Sequence, residues 1–241
     1  MTSKSSVVAI IQARMGSHRL PKKMILKLGN YPIIEWVIRR TKKSNNLDRI
    51  ILATSNLPSD DILAEIADRL NIDVYRGSEE DVLGRFCGAA KMSEAKTIIR
   101  ICADNPFIDS NEINRLISFY FKNDCDYACN HQDRLGSGYI DGLGAEIFSK
   151  DHLIQISNDA KEAKYREHIT TFFWDNISRY NLKSVPAPKL LRHPNLRFDV
   201  DTDLDLKYLN SLIDHNEGIK PENLNVITII DKVVMNKVNQ S

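Results

Sequence analysis

The sequence predicts an α/β fold of three layers, in which a mostly parallel sheet lies between two layers of helices. Over the first 130 residues, short apolar runs of strand length alternate with segments whose apolar residues recur at helical spacing. The first apolar run also ends abruptly in a basic loop that contains Gly and Ser. Such a strand-to-loop transition is common in open α/β sheets.

Length and composition limit the classes of protein. With 241 residues and a net charge of +1, the chain fits a single domain over residues 1–241 and gives no reason to expect a nucleic-acid partner. The longest N-terminal apolar run, Val7–Ile11, is too short for a secretory signal, and no segment approaches the ~20 apolar residues of a membrane helix. The four scattered cysteines are interpreted as reduced thiols. We therefore expect a cytoplasmic protein without a membrane partner.

Strands and helices alternate regularly up to residue 129. The predicted strands are Val7–Gln12, Arg49–Ala53, Asp73–Tyr75, Thr97–Cys102 and Asp126–Cys129. The predicted helices are Pro32–Lys43, Asp60–Leu70, Glu79–Ala95 and Asn111–Phe121. The last helix has the clearest pattern, because its apolar residues recur every three to four positions from Ile113 onward. This alternation favours a parallel sheet with helices on both faces.

The regular alternation breaks after residue 130. Residues 132–144 are polar and rich in glycine. The remaining predicted elements are helices near 150–158 and 165–177, strands over 182–186 and 197–200, and helices over about 203–213 and 223–236. We expect residues of about 130–195 to form a small inserted lobe that covers a second substrate or forms a dimer contact.

The loop after the first strand has the composition of a phosphate-binding loop. It carries Arg14, Gly16, Ser17, Arg19, Lys22 and Lys23, and no acidic residue precedes Glu35. Backbone N–H groups and cations in such a loop can hold a polyphosphate. The spacing matches neither Gly-x-x-x-x-Gly-Lys-Ser/Thr nor Gly-x-Gly-x-x-Gly. A solvated basic loop is the alternative interpretation.

The stretch from Ile10 to Lys23 resembles the N-terminal signature of nucleotidyltransferases that activate sugars and sugar acids, roughly I-I-x-A-R-x-x-S-x-R-L-P-G-K. It is most similar to the spore-coat polysaccharide cytidylyltransferase-like family, and less so to CMP-Kdo and CMP-sialate synthetases. Lys22 stands where that family usually has Gly, a residue that adopts positive φ at little cost. The resemblance implies a Rossmann-like nucleotidyltransferase fold and a homodimer.

Asp104 and Asp201 are the predicted metal ligands. Asp104 follows an apolar strand and precedes Asn105-Pro106, although an Asx turn or a helix cap would also place an aspartate there. The synthetases that this chain resembles carry an aspartate before a proline at this point. The run that begins at Val200 resembles their second magnesium motif, which implies Asp201 as the second carboxylate and leaves Asp199 as an alternative. Mg²⁺, or Mn²⁺, takes such carboxylates together with substrate phosphates.

The resemblance also implies a reaction. Arg14 and Lys23, assisted by Arg19, would hold the phosphates of CTP or another nucleoside triphosphate, and the loop residues Ala13, Gly16 and Ser17 would contact the nucleotide. An oxygen of a small sugar acid or phosphorylated acceptor would attack the α-phosphate, and pyrophosphate would leave. Arg14, Lys23, Asp104 and Asp201 are thus the predicted catalytic residues of a cytidylyltransferase for surface polysaccharide synthesis.

Other residues are further candidates for ligand contacts. Thr54 and Ser55 follow the second strand and are candidates for the base pocket. Asp81 and Arg85 are candidates for nucleotide contact, or alternatively form a helix start and its i,i+4 salt bridge. The candidates for acceptor binding are Asp141, Gly142, Glu167 and His168. A structural role for His168 is the alternative.

Two other functions remain open at this point. A nucleotide-sugar glycosyltransferase would use an Asp-x-Asp pair, and Asp199-Val200-Asp201 and Asp124-Cys125-Asp126 fit that pattern. Such an enzyme gives no reason for a cationic loop of triphosphate size after the first strand. A nucleotide-binding protein without turnover is the third possibility, and Lys22 at the usual Gly position is the observation in its favour.

Overall fold

The computed structural model describes residues 6–213 and 218–238. The strands, in chain order, are β1 (Val7–Gln12), β2 (Lys27–Leu28), β3 (Tyr31–Pro32), β4 (Arg49–Ser55), β5 (Asp73–Gly77), β6 (Thr97–Cys102), β7 (Tyr127–Cys129), β8 (Glu146–Ser149) and β9 (Leu182–Ser184). The α-helices are α1 (Ile33–Thr41), α2 (Asp61–Arg69), α3 (Val82–Lys91), α4 (Ser110–Lys122), α5 (Lys150–Asp159), α6 (Ala163–Glu167), α7 (Thr171–Asp175), α8 (Asp203–Leu212) and α9 (Val226–Val238). No helix of the described ranges is long and apolar enough to cross a membrane.

Seven strands form one sheet in the order β5-β4-β1-β6-β8-β7-β9. The first four of these strands are mutually parallel, with β1 between β4 and β6. Strand β8 runs antiparallel to both β6 and β7, and β9 is parallel to β7. Because the chain leaves β1 toward β4 and later returns to β6 on the other side, the carboxyl ends of β1 and β6 flank the crevice where such sheets bind ligands.

The residues of β1 alternate between two apolar cores. Val7, Ala9 and Ile11 pack on the side of α1, α2, α4, α8 and α9. Val8 and Ile10 pack on the side of α3, α5, α6 and α7. All five residues are at most 2% exposed, so β1 is buried on both faces, which explains why its sequence is continuously apolar. The three-layer α/β fold predicted from the sequence is confirmed.

Two predicted helices have different bounds in the structure. The helix predicted over Glu79–Ala95 begins only at Val82, because the Asp81 side chain accepts a hydrogen bond from Gly84 N at 2.8 Å and caps the helix there. The helix predicted over 165–177 is divided into α6 and α7. His168 ends α6 with a non-helical backbone, which interrupts the apolar periodicity that suggested one helix.

The predicted strands also differ from the observed strands. Strand β8 was not predicted, although it joins β6 to β7 within the sheet. Residues 197–200 form no strand and share only an isolated bridge, between Arg197 and Asp141. Their backbone amides bond to two different segments: Phe198 N donates to Asp141 O, and Val200 N donates to Asp104 O. A segment that alternates between two partners cannot build a ladder with either one.

Candidate active site

A cleft of about 380 Å³ opens at the carboxyl ends of β1 and β6. It is lined by Gln12, Ala13, Arg14, Gly16, Ser17, His18, Arg19, Lys23, Met24, Val82, Arg100, Cys102, Ala103, Asp104, Glu167, His168 and Asp201. The structure therefore brings together the predicted loop residues, both predicted metal ligands and two of the predicted acceptor contacts. The cleft lies where the topology of the sheet places a ligand site.

The loop between β1 and Lys23 is shaped by short-range hydrogen bonds. Ser17 N donates to Met15 O at 2.8 Å, and the Ser17 hydroxyl oxygen accepts from Leu20 N at 3.3 Å. Lys22 has φ of 58°, in the left-handed region that favours glycine. The turn geometry expected for Gly is thus retained with Lys in its place. This turn leads directly into the short helix in which Lys23 points back to the cleft.

Lys23 lies between the two predicted metal ligands. Its Nζ atom is 3.4 Å from Asp104 Oδ2, 3.4 Å from Asp201 Oδ1 and 2.7 Å from the carbonyl oxygen of Val200. Arg19 also reaches Asp201 Oδ1, at 3.0 Å. Lys23 is only 8% exposed, and this buried cation offsets the repulsion between the two partly exposed carboxylates.

The backbone fixes both aspartates. Val200 N donates to the carbonyl oxygen of Asp104 at 2.8 Å, which ties the end of β6 to the segment before α8. Thr202 then caps α8 in a capping box with Asp205, whose Oδ2 also accepts from Asp201 N at 3.0 Å. Two carboxylates fixed at the mouth of a cationic cleft match the donor set of Mg²⁺, which takes one or two carboxylates and adds phosphate oxygens. Within the described ranges, no group of three or more His, Cys, Asp or Glu residues is arranged for a metal.

Arg14 connects the loop after β1 to Glu79 and to Glu167 of α6. Its guanidinium donates to the carbonyl oxygen of Glu79 at 3.0 Å and pairs with Glu167 Oε1 at 3.1 Å. Glu167 and His168 both line the cleft. The end of α6 therefore faces the loop across the opening of the cleft.

Asp141 and Gly142 lie beside the cleft and do not line it. Asp141 exchanges backbone hydrogen bonds with Leu196 and Phe198, and Gly142 has φ of 96° where the backbone passes close to Phe198. The pKa of Asp141 is raised to about 6, chiefly by burial and then by the neighbouring carboxylates of Asp199 and Asp104, while Arg197 acts in the opposite direction. Asp141 does not reach the cleft in this structure. A direct contact between Asp141 and an acceptor would need the backbone around it to move when the acceptor binds.

The prediction that Thr54 and Ser55 line the base pocket needs correction. Both residues are 0% exposed and lie outside the cleft lining. The Thr54 hydroxyl donates to Asp60 Oδ2 at 2.9 Å, and Ser55 N donates to the same oxygen at 3.0 Å. Since these groups bond to a buried carboxylate, they do not reach a ligand directly.

Asp81 and Arg85 have structural roles in the described chain. Asp81 caps α3 and pairs with Arg166 Nη2 at 2.5 Å. Arg85 is 1% exposed, and its Nη1 donates to the carbonyl oxygens of Ser78 and Glu79. Arg85 thus supports the loop that Arg14 also contacts, while the predicted i,i+4 salt bridge between Asp81 and Arg85 does not form.

Sequence reasoning missed Arg100, which lines the cleft floor. Arg100 pairs with Glu146 of β8, directly across the antiparallel ladder, and Glu146 accepts a hydrogen bond from Tyr127 at 2.5 Å. Arg100 holds the pKa of buried Glu146 at about 2, although burial acts in the opposite direction. The available signal was a charged residue inside an otherwise apolar strand, which is costly unless it is paired or functional.

The sequence and the fold are similar to those of known proteins. The sequence pattern of the family described as cytidylyltransferase matches residues 8–231. The spore coat polysaccharide biosynthesis protein SpsF of Bacillus subtilis is 32% identical over 223 residues, which cover 90% of each chain. A solved cytidylyltransferase of Leptospira borgpetersenii superposes with a TM-score of 0.87 at 27% identity, and the match covers 97% of this chain and 95% of that one.

A solved CMP-2-keto-3-deoxy-manno-octonic acid synthetase in complex with CTP shares the fold, with a TM-score of 0.66 at 17% identity over 89% of this chain and all of that one. The resemblance to the spore-coat family and to CMP-Kdo synthetases is confirmed. The match to the family pattern spans both the loop after β1 and the Asp201 motif before α8. This chain belongs to the cytidylyltransferase family and is a nucleotidyltransferase.

Proposed function

We propose that this enzyme transfers the cytidylyl group of CTP to an oxygen of a small sugar acid, or of a related carboxylated or phosphorylated acceptor, with release of pyrophosphate. The observation that carries the proposal is the position of Lys23 between Asp104 and Asp201 at the mouth of a cationic loop. The acceptor oxygen forms a bond to the α-phosphorus. The bond from that phosphorus to the bridging oxygen breaks, the pyrophosphate carries away the electron pair, and an acceptor hydroxyl releases its proton to solvent water.

Cationic side chains would bind the triphosphate. Arg14 and Lys23 line the cleft, and Arg19 is the most exposed of the three, with 69% of its side chain accessible. Arginine and lysine near the β- and γ-phosphates would stabilise the charge that grows on the leaving pyrophosphate. Ala13, Gly16 and Ser17 would contribute the loop surface on which the phosphates rest.

Asp104 and Asp201 would hold Mg²⁺, or alternatively Mn²⁺. A divalent cation at this position supplies charge stabilisation at the phosphoryl group and lowers the pKa of an acceptor hydroxyl. The two aspartates orient this site, because one is fixed at the end of β6 and the other at the start of α8. No separate side-chain base is needed for the transfer.

The acceptor would enter from the side of residues of about 130–195. Glu167 and His168 already line the cleft, and we propose that Asp141 and Gly142 approach it when the acceptor binds. Surface polysaccharide synthesis in the cytoplasm by a homodimer is the physiological setting that we propose. The similarity to the spore coat polysaccharide protein supports the polysaccharide part of this setting.

The alternative functions have less support from the site. Asp199, which a glycosyltransferase would use as part of an Asp-x-Asp pair, is held by Arg197 through bonds of 2.5 and 2.8 Å. Lys22 adopts the left-handed conformation of the Gly that it replaces, so the substitution does not disrupt the turn. The conformation of this turn therefore gives no support to a protein without turnover.

The test is a pyrophosphate-release assay with Mg²⁺, in which CTP, GTP, UTP and ATP are each combined with a panel of sugar acids and sugar phosphates. We expect release with CTP and one acceptor class in the wild type, and none with Asp104→Asn. Preference for another nucleotide would overturn the cytidylyl assignment. Binding of CTP without release for any acceptor would support the protein without turnover.

A further inference from the structure

The loop after β1 is hydrogen-bonded to a buried carboxylate, that of Asp60, which does not line the cleft. Asp60 is 0% exposed and is located between the end of β4 and the start of α2. We propose that Asp60 is a positioning residue, which holds the loop of residues 13–17 in the conformation that receives the triphosphate. The inference rests on the proposed function in one respect, because CTP is taken as the ligand of the loop.

Both carboxylate oxygens of Asp60 accept hydrogen bonds. Oδ1 accepts from the backbone N of Met15 at 2.9 Å, and Oδ2 accepts from the Thr54 hydroxyl at 2.9 Å and from Ser55 N at 3.0 Å. Burial acts to raise the pKa of Asp60, but these bonds outweigh it and lower the pKa. Asp60 is therefore ionised, and it links the loop after β1 to the end of the neighbouring strand.

The bond to Met15 determines which loop residues face the cleft. The Met15 side chain packs into the apolar core and is 8% exposed. The backbone amide of Met15 donates its hydrogen bond to Asp60, away from the cleft. The residues on either side, Arg14 and Gly16, line the cleft. Fixing Met15 inward thus keeps its two neighbours on the ligand side of the loop.

The charge of Asp60 argues for a geometric role. No salt bridge to Asp60 is formed within residues 6–213 and 218–238, although the charge of Asp60 acts to raise the pKa of Arg85. A buried anion below an anion-binding loop opposes triphosphate binding by simple electrostatics. Its benefit to binding must then come from the donors that it satisfies, above all the Met15 amide, because a buried amide without an acceptor is costly.

The experiment compares Asp60→Ala with Thr54→Val. Both variants remove hydrogen bonds at the same carboxylate, but only Asp60→Ala removes the bond to the loop. We expect Asp60→Ala to weaken CTP binding in the presence of Mg²⁺ by about tenfold or more, as measured by titration calorimetry, since hydrogen bonds to charged groups have this magnitude. Thr54→Val should lower the melting temperature and leave the CTP dissociation constant within about twofold of wild type.

Equal CTP affinity in folded Asp60→Ala and wild type would overturn the proposal. So would a loss of affinity in both variants that follows their loss of thermal stability, because that pattern indicates a purely structural role. Amide hydrogen exchange provides a test that needs no variant. In the wild type without ligand, the Met15 amide should exchange as slowly as the amides of β1, and exchange at the rate of the exposed loop would contradict the anchoring.

The exchange measurement also separates this inference from the proposed function. If the wild type binds no CTP while the Met15 amide remains protected, then the cytidylyltransferase assignment fails and the anchoring by Asp60 stands. If the wild type binds CTP and the Met15 amide is unprotected, then the assignment stands and the role of Asp60 is overturned.

Discussion

The ammonium group of Lys23 lies 3.4 Å from a carboxylate oxygen of Asp104, and an equal distance separates it from Asp201. Its shortest contact, 2.7 Å, is to the carbonyl oxygen of Val200. Lys23 therefore joins the end of β6 to the segment before α8 in the protein without ligand. One cation offsets two carboxylates, and we propose that the same cation also contacts a phosphate of the nucleotide.

Removal of this cation should damage both activity and stability. In Lys23→Met we expect kcat/KM for CTP to fall roughly hundredfold, since charge stabilisation in a water-poor site has this magnitude. The free energy of unfolding should fall by about 2 kcal/mol, because Asp104 and Asp201 then repel each other without compensation. Steady-state kinetics and urea unfolding measure the two effects. Lys27→Met, at an exposed lysine of β2, is the matched control, and equal behaviour of the two variants would contradict the prediction.

The two aspartates of the Asp199-Val200-Asp201 segment should differ in importance. Asp199 is paired with Arg197, whereas Asp201 faces Lys23 and Arg19 at the cleft. We expect Asp201→Asn to reduce cytidylyl transfer by roughly two orders of magnitude and to weaken Mn²⁺ binding, while Asp199→Asn retains most of both. Initial rates and Mn²⁺ titration by electron paramagnetic resonance measure these effects. A larger defect in Asp199→Asn would assign the metal to the other carboxylate.

Lys22 should be a position where glycine stabilises the protein. An L-residue in the left-handed region costs roughly 1–2 kcal/mol, and the greater freedom of Gly in the unfolded chain offsets part of the gain. With φ of 58° at this exposed residue, we expect Lys22→Gly to raise the free energy of unfolding by about 0.5–1 kcal/mol. Urea unfolding measures the change. Lys22→Ala keeps the strain and should show no gain, and equal stability of the two variants would refute the strain at this residue.

The central part of the fold could be predicted because burial on both faces leaves a strong local signal. The bounds of β1 and β6 match the apolar runs Val7–Gln12 and Thr97–Cys102 residue for residue. The basic loop after β1 could be recognised for a related reason. Its cations and Gly16 all lie within residues 14–23, so the feature does not depend on distant parts of the chain.

The parts that could not be predicted depend on distant partners. Strand β8 has four residues and begins with Glu146, a charge that is acceptable there only because Arg100 of β6 lies directly opposite. Asp60 reads locally as the start of a helix, and its bond to Met15 spans 45 positions. Thr54 and Ser55 are candidates for the base pocket only because the sequence does not show that a carboxylate five or six residues later takes their hydrogen bonds.

Gly142 is expected to tolerate no side chain. It has φ of 96°, and a Cβ atom there would lie 2.9 Å from the carbonyl carbon of Phe198 and 3.0 Å from Asp199 N. We expect Gly142→Ala to lower the free energy of unfolding by about 2–3 kcal/mol, because backbone strain and a steric clash act together. Gly136→Ala is the control, with φ of 69° but nothing within 4 Å, and should cost about 1 kcal/mol. If denaturant unfolding shows the same loss of free energy in Gly142→Ala and Gly136→Ala, then backbone strain alone accounts for the loss and the clash with Phe198 does not contribute.

Asp141 should make the protein less stable as the pH rises. Its pKa is raised from 3.8 to about 6 by burial and by the charges of Asp199 and Asp104, so between these values the folded state binds more protons than the unfolded state. Stability must therefore fall as the pH rises from about 4 to 6, and the ionised carboxylate costs about 1–2 kcal/mol at pH 7 after allowance for solvent screening. Asp141→Asn should raise the free energy of unfolding at pH 7 by this amount and flatten its pH dependence, measured by urea unfolding in chelator-treated buffer. The control Asp68→Asn, at an exposed residue, should leave the pH dependence unchanged. If the slope between pH 4 and 6 persists in Asp141→Asn, then another group is its source.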